Sequence, residues 1–72
     1  PNPANDILYI KLTDYPEGKT QIRIFNSVGQ VLKTEAFSGN QYNVKIGDIS
    51  SGVYFVKLEN DNGTILKKIK KL

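Results

Sequence analysis

Apolar and polar residues alternate through most of this chain in short runs, each bounded by Gly, Pro, Asn, Asp or Ser. A period of two is the signature of a half-buried strand, because successive side chains leave opposite faces of a pleated backbone. Residues 7–12 form the first run, with Leu8, Ile10 and Leu12 on one face. The stretch 14–19 reads as a turn, in which Pro16 presets φ and Gly18 is free to take φ > 0. Residues 21–25 form a second strand with Ile22 and Ile24 inward. Asn26-Ser27-Val28-Gly29 then closes a hairpin, Gly29 suiting a left-handed position.

A third strand covers residues 30–37, and Ser38-Gly39-Asn40-Gln41 turns the chain again. Residues 42–46 alternate cleanly, with Tyr42, Val44 and Ile46 on one side. The loop 47–52 has room for one helical turn, with Ile49 pinning it to the core. Residues 53–59 form the strongest strand, with Tyr54, Val56 and Leu58 inward. Asn60-Asp61-Asn62-Gly63 is the best hairpin signal, because Asn-Gly suits both φ > 0 positions of a type I′ turn. The last strand runs over 64–71. No window of 11 residues has helical periodicity. About six short strands with turn chemistry between them predict an all-β sandwich or small barrel. Its core is expected to hold Leu8, Ile10, Ile22, Ile24, Val44, Ile46, Tyr54, Val56 and Leu58.

Seventy-two residues make a single domain. A chain this short supports a net stability on the order of 3–5 kcal/mol. It has no cysteine and no histidine, which excludes disulfides, His- or Cys-ligated zinc and copper sites, and His- or Cys-based nucleophilic machinery. No run of about 18 apolar residues is present, so no membrane-spanning helix is expected. The first residue is Pro1 rather than Met, and no signal peptide is visible. The chain reads as a piece of a larger protein.

The seven acidic residues are the remaining candidates for acid–base chemistry. Asp6, Asp14, Glu17, Asp48 and Asp61 fall in turns, where carboxylates cap backbone N–H groups. Glu35 and Glu59 fall on strand positions expected to face solvent. Nothing pairs two of them in a pocket, so no catalytic residue, metal site or cofactor is expected. The Asn60–Gly63 loop has too few charged ligands for Ca²⁺. Asn62-Gly63-Thr64 matches the N-glycosylation pattern, but a tight turn is a poor acceptor.

Charge is concentrated at the end of the chain. Lys67, Lys68, Lys70 and Lys71 are four of ten cations, and without them the net charge of +3 becomes −1. Lysine on an edge strand blocks edge-to-edge aggregation, and it also attracts anionic partners. Nucleic acid is not expected, since no arginine accompanies the tail and the aromatics fall mostly on inward faces. Pro1-Asn2-Pro3 favours an extended lead-in to the first strand. Gly52 permits a sharp entry into the strand that follows, and Tyr54 carries a hydroxyl able to bond nearby backbone.

Four stretches then occur in order over the whole chain: Pro1-Asn2-Pro3-Ala4, residues 24–31 (Ile-Phe-Asn-Ser-Val-Gly-Gln-Val), residues 49–56 (Ile-Ser-Ser-Gly-Val-Tyr-Phe-Val) and Lys67-Lys68-Ile69-Lys70-Lys71. Each alone is weak; together they are specific. The chain resembles the type A C-terminal sorting domain of proteins exported by the type IX secretion system of Bacteroidetes. That resemblance implies a small Ig-like antiparallel β-sandwich of about six to seven strands at the end of a larger cargo. It implies a non-catalytic signal, read in the periplasm by outer-membrane secretion machinery. After export to the cell surface or beyond, a sortase-like peptidase typically removes the domain. On this resemblance the recognition residues are Pro1 and Pro3, Gly52 and Tyr54, and Lys67, Lys68, Lys70 and Lys71. The rival reading is a β-sandwich adhesion or carbohydrate-binding module, which needs an exposed aromatic platform; Phe25, Phe55 and Tyr9 are the outward candidates. Oligomeric state, cargo and cleavage site are open at this point.

Overall fold

The computed structural model describes residues 6–13 and 18–72. Pro1, Pro3 and the Pro16 turn lie outside these residues. Six strands follow in order: β1 (Ile7–Lys11), β2 (Lys19–Asn26), β3 (Val31–Ser38), β4 (Gln41–Lys45), β5 (Gly52–Asn60) and β6 (Gly63–Lys71). Every pairing is antiparallel. β1 and β4 make a two-stranded sheet, and β3-β2-β5-β6 make a four-stranded one. The hairpins β2–β3 and β5–β6 stay within the larger sheet, while β1 and β4 find each other across the chain.

The two sheets share one core, in the manner of a β-sandwich. All nine residues expected there are buried, joined by Leu12, Phe37 and Ile69. Strand register explains the arrangement. Ile22 lies opposite Leu58, Ile24 opposite Val56, and Asn26 opposite Tyr54, so one face of β2 and β5 forms an apolar floor. Leu8 opposite Val44 and Ile10 opposite Tyr42 supply the facing layer. Thr20 is fully buried beside this core, and its hydroxyl accepts a hydrogen bond from the Asn60 side chain at 3.0 Å.

The structure departs from expectation in three places, two in turns and one on a strand. At the β5–β6 hairpin, Asn60 pairs with Gly63, so Asp61 and Asn62 are the central residues. No non-glycine residue among those described has positive φ, while Gly63 has φ 129°. The type I′ assignment therefore fails. The Asn60 side chain captures the Asn62 N–H at 2.8 Å, an Asx arrangement that leaves the left-handed position to Gly63. The loop before β5 holds no helical turn. The Ile49 N–H reaches only back to the Ile46 carbonyl, at 3.3 Å, although Ile49 does pack on the core. Finally, Glu35 lies opposite Ile22, on the inner side of edge strand β3 and half-buried, rather than facing solvent.

That inner-side placement helps close one flank of the molecule. The Phe37 and Tyr42 rings stack with centroids 4.8 Å apart and planes 3° apart. The Tyr42 hydroxyl donates to Glu35 at 2.7 Å, and the Lys33 ammonium meets Asp48 at 3.0 Å. β3 is thus fastened to β4 and to the loop that follows it. The opposite flank, between β1 and β6, is an open groove. Among the described residues no helix is long and apolar enough to cross a membrane.

Candidate functional site

Two of the singled-out motifs, separated in sequence, become neighbours in the β5–β6 pair. Gly52 lies opposite Lys71, Val53 opposite Lys70, Tyr54 opposite Ile69, Phe55 opposite Lys68 and Val56 opposite Lys67. The glycine–tyrosine element and the terminal lysines are therefore a single hairpin end, and β6 is the edge strand that displays it.

Each residue at this end has a local physical cause. Gly52 has φ 152°, outside the range that side-chain-bearing residues readily adopt. Two residues later, the Tyr54 ring is buried in the core and its hydroxyl donates to the Ser50 carbonyl. That bond ties the loop before β5 to the strand, the arrangement called a tyrosine corner in sandwich domains. The hydroxyl role expected for Tyr54 is thus realised.

The lysines divide. Register puts Lys67 and Lys71 on the inner side of β6, in line with Ile65 and Ile69, and puts Lys68 and Lys70 on the outer side with Leu66. Lys67, Lys68 and Lys70 are exposed. Lys71 is only 7% exposed, which corrects the expectation that all four are displayed. Its charge acts on the β4–β5 loop: the Asp48 carboxyl is lowered first by the hydrogen bond from Lys33, with the charges of Lys33 and Lys71 adding to the effect. On the closed flank, the bond to Glu35 raises the Tyr42 phenol above its usual value.

The outer side of the large sheet carries Phe25 directly opposite Phe55, with Lys68 next in the row. Both rings are half-buried. Arg23 and Glu59 form an ion pair at 2.7 Å on the same face, and Lys57 approaches Glu59 at 3.6 Å. Among the described residues no group of His, Cys, Asp or Glu is placed to hold a metal ion.

The family model described as the secretion system C-terminal sorting domain matches residues 1–71. The chain belongs to that family. A sorting domain of this kind directs its cargo protein through the type IX secretion system to the cell surface or the extracellular space, and it does so as a signal rather than as an enzyme. No curated protein matches the chain.

Sequence reasoning missed the groove between β1 and β6. Tyr9 and Lys11 on β1, and Ile65 and Lys67 on β6, belong to its walls or rim. The alternation of residues 7–12 was visible, but a sequence does not reveal that β1 pairs with β4 and leaves its other edge toward β6.

Proposed function

We propose that the end of the β5–β6 hairpin is the part of this sorting domain presented to the outer-membrane secretion machinery. The observation that supports this reading is the register that sets Gly52–Val56 against Lys67–Lys71 on an edge strand. An edge offers backbone donors and acceptors for strand addition, and the exposed Lys67, Lys68 and Lys70 add attraction for an acidic partner surface. Pro1 and Pro3 are proposed to lead from a cargo into β1, with the 72 residues acting as one terminal signal domain of a larger protein. Removal by a sortase-like peptidase after export is part of the same proposal. The tyrosine corner and the two antiparallel sheets support an Ig-like description of the sandwich.

The rival reading, an adhesion or glycan-binding module, has one observation in its favour, the adjacent Phe25 and Phe55. Half-buried rings give it a poor stacking platform. The test is a fusion of residues 1–72 to a periplasmic reporter, in a host with a working type IX system and in a secretion-deficient strain. Export from the first and retention in the second is the expected result. Retention in both, with a folded fusion, refutes the signal reading.

A further inference from the structure

The two flanks of the sandwich are built differently. Between β3 and β4, rings, a phenol–carboxylate bond and an ion pair fasten the sheets together. Between β1 and β6 lies a groove of about 500 Å³ whose floor is apolar, including Leu8, Ile10 and Ile69. Tyr9 at its rim is 56% exposed and Ile65 in its wall 45% exposed, although each is a strand residue with a ring or branched chain suited to cover. Among the described residues β1 hydrogen-bonds to β4 alone, and none of them pairs with the backbone edge it turns toward the groove.

The groove is also polarised. Lys11 and Lys67 are exposed at it, and among the described residues no carboxylate lines it. No ion pair among the described residues engages either ammonium.

We propose that the β1–β6 groove is a strand-accepting site for an extended segment of a partner protein, apolar at every second residue and acidic between. The segment adds to the groove-facing edge of β1, antiparallel or parallel, at the usual spacing of about 4.8 Å. Its inward side chains cover Ile65 and Ile69. Its outward carboxylates meet Lys11, and they reach Lys67 through the long exposed side chain of that lysine, since register sets Lys67 between Ile65 and Ile69. Backbone pairing supplies affinity and the alternate side chains supply selectivity. A second copy of the chain is a poorer occupant, because it brings the same lysines against this rim and carries the same net positive charge of +3. The proposal rests on the sorting reading only in naming the partner as a protein met during export; a peptide titration tests the groove by itself, whereas the reporter fusion tests sorting.

The experiment uses the full 72-residue chain, isotope-labelled, titrated with three capped octapeptides: alternating Val and Glu, alternating Val and Ser, and alternating Val and Lys. The expected result is that Val–Glu shifts the amide resonances of β1 and of Ile65–Ile69, that Val–Ser binds more weakly, and that Val–Lys leaves them unmoved. Lys11→Gln and Lys67→Gln each weaken Val–Glu binding about two- to fivefold at low salt, and Ile65→Thr weakens it while the dispersed spectrum shows the fold intact. Equal binding of Val–Lys, shifts confined to β3 or the outer sheet face, or no shift at peptide concentrations on the order of 1 mM each overturn the proposal. So does sedimentation showing a dimer that Ile65→Thr dissolves, since the groove's occupant is then a second copy.

Discussion

Replacing Tyr54 by Phe and by Ala separates what its ring does from what its hydroxyl does. The ring is buried in the core, and truncating a buried aromatic to Ala costs about 3–5 kcal/mol. A domain of this size has a net stability on the order of 3–5 kcal/mol, so the Ala variant is expected to be largely unfolded at 25 °C. The hydroxyl makes one bond, to the carbonyl of Ser50. Ser50 is exposed, so water replaces the lost donor and the Phe variant loses only about 0.5–1.5 kcal/mol. At about 4–8 °C per kcal/mol for a domain of 60–100 residues, its melting midpoint falls by roughly 2–12 °C. Urea and thermal melts followed by circular dichroism measure both, beside export of a reporter carrying each variant. The Phe variant is expected to export and the Ala variant to fail because it does not fold. A Tyr54→Ala domain that melts like the parent refutes the packing argument. A folded Phe variant that is not exported makes the hydroxyl itself a recognition group.

Gly52→Ala is expected to lose about 1–3 kcal/mol to backbone strain at φ 152°, not to crowding, since an added Cβ comes no closer than 3.9 Å to the Tyr54 ring; an unchanged urea midpoint contradicts this. The Asp48 pKa is lowered in the fold, so its contribution is present at neutral pH and is lost as pH falls from the ordinary 3.8 through the lowered value; Asp48→Asn should flatten the acid limb of a pH–stability curve, and a curve of unchanged shape refutes it. Changing Lys67, Lys68 and Lys70 together to Gln should leave the melt close to the parent's, each exposed charge being worth under about 1 kcal/mol, while reducing export; normal export with a normal melt reduces these lysines to edge protection.

The strands were legible because each face is buried on one side only, which forces a period of two on the residues themselves. Leu8, Ile10, Ile22, Ile24, Val44, Ile46, Tyr54, Val56 and Leu58 were all recoverable from that alternation. The errors arose where geometry depends on partners distant in sequence. Glu35 looks outward by alternation, yet an edge strand that folds over β4 gives it Tyr42 as a donor. The Asn62-Gly63 pair looks like a type I′ turn, yet the Asn60 side chain shifts the turn by one residue. Lys71 looks like one more solvated cation, yet it is buried where its charge acts on Asp48 of the loop before β5. The motif order that marks the sorting family was visible in the chain, while the meeting of Gly52 with Lys71 was not.

That meeting constrains how the signal can be read. Gly52 takes a positive φ at the start of β5, Tyr54 buries its ring and bonds the Ser50 carbonyl of the loop before β5, and Lys71 is buried opposite Gly52. Gly52 has no side chain, and little of Tyr54 and Lys71 is left for a partner to touch. What the hairpin end offers outward is the β6 backbone edge together with Lys67, Lys68 and Lys70. The same motif residues therefore mark the signal in sequence without having to be its contact surface: they fix the register that sets the edge and its cations in place. On this argument a substitution at Gly52 or Tyr54 abolishes export in proportion to its destabilisation. A substitution at Lys67, Lys68 or Lys70 acts on export without moving the melt. Plotting export against unfolding free energy for both sets distinguishes them, since the first set falls on one curve and the second falls below it. If variants at Gly52 and Tyr54 also fall below that curve, the partner reads them directly.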